Sequence, residues 1–401
     1  MDYTSLYSDA VRRSKASAIR ELLKVIAQPD IISFAGGLPS PDLFPAQEIA
    51  AIMKDVVGTD PKVSLQYGAT EGQAELKTEL VKLLLETENI TARPEQLLIV
   101  SASQQALDMA SRAFVNPGDY IITASPTYLG ALQAFHAAGA KILGAASDEN
   151  GVIAEDIENK LRFLQKEGKP CKFIYLVPDF QNPTGTTIPE ERRVQILALA
   201  RKYNTFILED SPYRQIRFEG KSPRTFYALD NGNGNVITMF TFSKILVPGF
   251  RLGFIVGPET VIRKFVILKQ AIDLCTSPLL QVATAAYLRN GHLQAHIKDL
   301  IAAYRQKRDL MLKTLQEVMP KGVSWTRPEG GLFLWLTLPK HMDAMALLSK
   351  AIERKVAYVA GVDFYPDTNV KNDLRLNFSY ATHEQIVEGL KRLAQTIKEN
   401  C

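Results

Sequence analysis

Between Glu95 and Gly257 short apolar runs alternate with helical patterns, and no other feature restricts the fold of this 401-residue chain as strongly. Seven runs read as strands: 97–100, 120–123, 141–145, 173–177, 205–209, 236–240 and 253–257. They are almost uninterrupted in apolar character, which is how strands buried on both faces of a parallel sheet read. Amphipathic stretches at 105–114, 128–138 and 190–203 lie between them, the last preceded by Pro189, which suits a first helical turn. Parallel neighbours need long crossovers, so these helices must cover both sheet faces. The pattern predicts a large α/β domain with a mostly parallel seven-stranded sheet.

After Gly257 the pattern stays helical to about Met319, then turns strand-like over 323–338, interrupted by Pro328, Gly330 and Gly331. A helix at 344–354, strands at 356–360 and 374–380 and a closing helix at 383–398 complete a smaller α+β unit. The length exceeds what one hydrophobic core usually serves. The expected division is an N-terminal arm with part of the small domain (1–50), a large domain (51–290) and a C-terminal small domain (291–401).

Apolar residues make up 46% and charged residues 22%, an ordinary globular composition. A net charge of +4, from 47 basic and 43 acidic residues with no dense basic stripe, argues against nucleic acid as a partner. No stretch is apolar enough to span a bilayer, and the charged first residues lack the run of a signal peptide. Cys171, Cys275 and Cys401 are too scattered for a disulfide framework or a zinc site. His292 and His296 sit four apart, but no glutamate follows His292 as a metalloprotease motif requires. The expectation is a cytoplasmic protein without a metal site or membrane contact.

In open α/β sheets ligands gather beyond the carboxyl ends of the strands. Those positions hold Ser101 to Gln105, Ser125 to Tyr128, Pro178 to Gly185, Asp210 to Tyr213 and Thr241 to Lys244. Lys244 would sit at the mouth of a buried site, where desolvation lowers an amine's pKa and makes it nucleophilic; alone, a lysine after a strand is usually a solvated one. Ser243 and Arg251 suit a phosphate, as does the helix start at Ser103 and Gln104, which also fits a plain N-cap. Asp210 needs a cationic partner, for which a protonated pyridine nitrogen would serve, or else it caps a turn. Tyr213 and Asn182 could hydrogen-bond a phenolate oxygen, and Tyr128 could stack on an aromatic ring, although Asn-Pro-Thr-Gly is also a turn sequence. Arg375, flanked by Leu374 and Leu376, would be satisfied by a substrate carboxylate or by water at a sheet edge.

In sequence and spacing, the order Tyr175 to Gly185, Asp210-Ser-Pro-Tyr213, Ser243-Lys244 with Arg251, then Arg375, resembles the class I/II aminotransferases of pyridoxal-phosphate fold type I along nearly the whole chain. The resemblance implies pyridoxal 5'-phosphate as cofactor and Lys244 as its Schiff-base lysine. It also implies Asp210 on the pyridine nitrogen, Tyr213 and Asn182 on the ring oxygen, Tyr128 against the ring, and Ser103, Gln104, Ser243 and Arg251 at the phosphate. Tyr67 matches a residue lent to the neighbouring subunit, so a homodimer with shared active sites is implied. Ala18 to Leu23 and Ser33 to Pro45 are similar to the 2-aminoadipate and kynurenine aminotransferase group, in which Arg20 would meet a distal carboxylate and Gly37 would line the pocket. Substrate contacts would then be Arg375, Asn182, Gly37, Arg20 and Tyr67. One departure is Ala102, where relatives often have glycine.

The implied reaction moves an amino group between an L-amino acid and a 2-oxo acid, with 2-oxoglutarate the expected acceptor and an aminoadipate-, kynurenine- or aromatic-type donor. A β-eliminating lyase on the same fold is the nearest alternative. A pyridoxal-sensing transcription regulator would need a DNA-binding domain ahead of Ala18, for which the sequence leaves no room.

Overall fold

The computed structural model describes residues 1, 3–14 and 30–401. In chain order the first nine strands are β1 (Ile32–Ser33), β2 (Leu97–Val100), β3 (Tyr120–Ser125), β4 (Lys141–Asp148), β5 (Gly151–Val152), β6 (Cys171–Leu176), β7 (Phe206–Asp210), β8 (Val236–Thr241) and β9 (Gly253–Val256). All but β1 join in one sheet ordered β2-β9-β8-β7-β6-β3-β4-β5. The seven anticipated strands are all present. The eighth, β5, turns back antiparallel on the end of β4 and is too short to show a periodicity.

Strands β4, β3, β6, β7 and β8 run parallel, and β9 runs antiparallel to both β8 and β2. The carboxyl ends of β2, β3, β6, β7 and β8 therefore share one edge. Every residue of β2 and β8 is buried, as expected where helices cover both faces. Burial of each Leu or Ile contributes roughly 1.5–3 kcal/mol relative to exposure, so the sheet interior supplies a rigid floor for whatever projects from that edge.

The loop leaving β6 is pinned from below. The helix Glu190–Lys202 buries Arg193 completely, and its guanidinium meets Asp179 at 2.7 Å while Arg214 meets the same carboxylate at 3.1 Å. These charges hold Asp179 ionised against the cost of burial. They fix the backbone just ahead of Asn182.

The second sheet contains β10 (Ser324–Trp325), β11 (Phe333–Thr337), β13 (Val359–Ala360) and β14 (Asp373–Asn377), all antiparallel in the order β10-β11-β14-β13. The single strand expected at 356–360 is split, because β12 (Val356–Ala357) leaves this sheet and pairs in parallel with β1. Tyr358, at the break, buries its ring and donates its hydroxyl to the carbonyl of Ala344 at 2.7 Å. The residues at 32–38 are thereby tied to the C-terminal part of the chain, and Ser379 adds a hydrogen bond to the carbonyl of Leu38 at 2.8 Å. The closing helix His383–Glu399 begins with a capping box between Thr382 and Gln385.

Candidate active site

Asp210 ends β7 with 3% of its surface exposed. One carboxylate oxygen, Oδ2, accepts from the hydroxyl of Tyr175 at 2.9 Å, whereas Oδ1 is enclosed and has no partner among the described residues. Burial pushes this carboxyl up to about 7; the hydrogen bond from Tyr175 opposes the rise and the neighbouring Glu209 charge adds to it. An enclosed, unsatisfied acceptor of this kind calls for a cationic donor.

Across the edge, Arg375 of β14 is 1% exposed and donates at 2.7 Å to Asn182 Oδ1 and at 2.7 Å to the carbonyl of Ala35. Its plane lies over Phe333 at 4.3 Å and Phe364 at 5.2 Å, an aromatic setting that strips water from a guanidinium. Burial draws it down to about 10, so it remains cationic at neutral pH, and its Nε has no partner among the described residues. Asn182 in turn donates Nδ2 to the Tyr213 hydroxyl at 3.5 Å. The Tyr213 phenol is pushed up by burial first and then by the charge of Tyr128, while Arg375 pulls it back. Asn182, Tyr213 and Arg375 thus form one hydrogen-bonded cluster, and Arg375 faces inward rather than water.

Lys244 lies three residues past β8 and donates from Nζ to the carbonyl of Gly37 at 2.8 Å. Its side chain keeps some contact with solvent, yet desolvation lowers the amine to about 8, helped by the positive charges of Arg375 and Arg251. Gly37 is tightly placed, since a Cβ there would stand 3.1 Å from the Phe333 ring. Ser243, beside the lysine, is held by Thr241, whose hydroxyl donates to Ser243 Oγ at 3.0 Å and accepts its N–H at 3.2 Å. Arg251 follows a single 3-10 turn, Pro248–Phe250, with φ of 47°, and presents an exposed guanidinium.

Beyond β2 the helix Ala102–Phe114 begins with Ala102 at φ of 64°. A left-handed alanine here explains why glycine is the easier residue at this position. The Ser103 hydroxyl is enclosed and lacks a partner among the described residues. Gln104 donates to the carbonyl of Gly130 at 3.0 Å and accepts from the Tyr128 hydroxyl at 3.5 Å, joining the ends of β2 and β3.

One expected residue, Tyr67, does not join this cluster. Tyr67 is 79% exposed, with its ring turned to solvent. Arg20 lies outside the described residues. Conversely, Tyr175 and the carbonyl of Ala35 enter the site although side-chain patterns gave no sign of them, and Gly37, named through the resemblance, meets Lys244 at its carbonyl. A cavity of about 1110 Å³ nearby, lined by Thr184, Trp335 and Asp373, includes neither Lys244 nor Asp210. Asp373 is already engaged there by Thr337 and Tyr365.

A lone buried carboxylate oxygen, an enclosed serine hydroxyl near a helix start, and a lysine amine of lowered pKa match the ring nitrogen, phosphate and aldehyde of pyridoxal phosphate. The family model for aminotransferases of class I and II matches residues 30–393. A Thermococcus litoralis protein named aromatic-amino-acid aminotransferase 1 is 45% identical over 100% of this chain and 95% of its own length. The 2-aminoadipate transaminase of Thermus thermophilus is 37% identical over 99% of this chain and 98% of its own. Among solved structures, a Pyrococcus horikoshii kynurenine aminotransferase in complex with PMP superposes with a TM-score of 0.96 at 44% identity, covering 100% of this chain and 98% of that one. The chain belongs to the class I and II aminotransferases of fold type I, and pyridoxal phosphate is its cofactor.

Proposed function

We propose that this aminotransferase takes its amino group from an aromatic, kynurenine-type or long acidic L-amino acid and passes it to a 2-oxo acid, with 2-oxoglutarate as the preferred acceptor. The observation that carries the reading is Arg375: a desolvated guanidinium, cationic at neutral pH, with Nε unmatched among the described residues, suits a substrate α-carboxylate. The choice of donors rests on the relatives, whose names span aromatic, kynurenine and 2-aminoadipate substrates.

Pyridoxal phosphate, when bound, supplies an electron-accepting ring for the breaking Cα–H bond. Lys244 would hold the cofactor through its amine and, once displaced by the substrate amine, take the proton from Cα and return it during transfer. Asp210 would keep the ring nitrogen protonated. Asn182 and Tyr213 would donate to the ring oxygen, and Tyr128 would lie against the ring. Ser103, Gln104, Ser243 and Arg251 would hold the phosphate, joined by Tyr67 of a second copy in a homodimer. Gly37 would line the substrate pocket, and Arg20 would meet the far carboxylate of an acidic donor. A cytoplasmic setting is proposed on the three unpaired cysteines.

A spectroscopic half-reaction screen tests the substrate reading. Each amino acid, including 2-aminoadipate and kynurenine, is mixed with the cofactor-loaded enzyme and with Arg20→Ala. Conversion by aromatic and acidic donors is expected, with the variant losing acidic donors alone. Conversion only of small or cationic amino acids would refute the donor class.

A further inference from the structure

Tyr175 has no part in the reading above, although its position ties it to the chemistry. On paired parallel strands Tyr175 of β6 stands opposite Leu208 of β7, so Asp210, two residues further along, projects from the same face within diagonal reach. The result is the 2.9 Å hydrogen bond from its hydroxyl to Asp210 Oδ2. The Tyr175 ring is wholly buried and held edge-on by Phe135, with centroids 5.3 Å apart at 74°. Burial, followed by the Asp210 charge, lifts its phenol well above the ordinary tyrosine range, so it keeps its proton and can only donate.

Among the described residues no other side chain donates to that oxygen. Glu209, the preceding residue, faces the opposite side of the strand, where its carboxylate accepts from the N–H groups of Phe226 at 2.9 Å and Tyr227 at 3.2 Å and from Thr238 Oγ1 at 2.7 Å. Thr123, the β3 neighbour of Tyr175, turns its hydroxyl to the carbonyl of Ala124 at 2.9 Å. Tyr175 therefore decides which Asp210 oxygen is engaged by protein and which is left open.

We propose that Tyr175 is a positioning residue for the cofactor: its hydroxyl locks Asp210 so that Oδ1 alone faces the pyridine nitrogen, and weakens the carboxylate as a base so that the proton stays on the ring. The inference rests on the assignment of Asp210 to the ring nitrogen. Loss of the hydroxyl would leave a buried carboxylate oxygen unsatisfied, which makes Asp210 the stronger base and draws the shared proton away from the ring.

The test is NMR of the cofactor-loaded enzyme, using pyridoxal phosphate labelled at the ring nitrogen with a spin-active isotope. In Tyr175→Phe the ring-nitrogen resonance is expected to move toward the unprotonated position, and the cofactor to dissociate about tenfold faster, as expected for a lost hydrogen bond to a charged group. Asp210→Asn serves as the reference. If it too leaves the resonance unmoved, the assignment of Asp210 fails; if Asp210→Asn shifts the resonance and Tyr175→Phe does not, the role of Tyr175 fails. In the Asp210→Asn background, Tyr175→Phe should add no further shift, whereas a purely packing role would act the same in both backgrounds. Should Tyr175→Phe not fold, 3-fluorotyrosine placed at position 175 answers the same question. As a stronger donor it should raise the pH at which the ring nitrogen gives up its proton, and an unchanged titration of that resonance overturns the proposal.

Discussion

At the scale of single residues, Lys244 offers the sharpest expectation. Its amine titrates near about 8, below the ordinary lysine range, because desolvation and two neighbouring arginines disfavour its charge. Below that pH it is protonated and cannot attack the cofactor aldehyde. Capture of pyridoxal phosphate by the cofactor-free enzyme should therefore accelerate as pH rises through about 8 and level off above it, followed by stopped-flow absorbance, while Lys244→Ala captures none. A profile flat across that range would contradict the desolvated amine. Lys244, Asp210, Asn182 and Arg375 were legible in the sequence because each follows or interrupts an apolar run, where a polar group is conspicuous. Tyr175 was not, because its partner depends on the register between β6 and β7. Ala35 acts through its carbonyl, which no side-chain pattern reveals, and Gly37, whose carbonyl Lys244 meets, was reached only through the family resemblance.

Among the elements, the junction of β2 with the helix Ala102–Phe114 carries strain that the sequence only hinted at. Ala102 occupies left-handed space at φ of 64°, a conformation that costs a side chain about 1–2 kcal/mol. Gly253 lies against it, where a Cβ would stand 3.2 Å from Ala102 Cα and 2.6 Å from the Phe240 carbonyl. Ala102→Gly should relieve the turn, raising the stability of the cofactor-free enzyme by about 0.5–1 kcal/mol once glycine's greater unfolded freedom is subtracted. The shift would be read from the denaturation midpoint, and a loss of stability would show that the alanine methyl packs more favourably than its backbone is strained. The long strands were legible from their apolar runs, since a two-sided burial leaves little room for any other pattern. The two-residue β5 and the division of 356–360 between β12 and β13 were not, because a chain's choice between neighbouring sheets is settled by tertiary pairing.

For the whole molecule, the exposed ring of Tyr67 sits near other exposed apolar side chains in sequence, Val63 and Leu65. If Tyr67 serves the site of a second copy, two inactive variants should repair one another. Co-refolded Tyr67→Ala and Lys244→Ala chains would form mixed dimers holding one complete site, and about a quarter of normal activity should return from random pairing in a symmetric dimer. Activity no greater than that of the separate variants would place Tyr67 outside the neighbour's site. The pairing of β1 with β12 bears on a different question, the order in which the molecule comes into being. Arg375 leans on the carbonyl of Ala35, and Ile32 and Ser33 find their strand partners only at Val356 and Ala357. The pocket's first-made wall has no strand to dock against until Val356 and Ala357 have been translated. The substrate site can therefore close only once Arg375 has been made, after every strand of the large sheet has left the message.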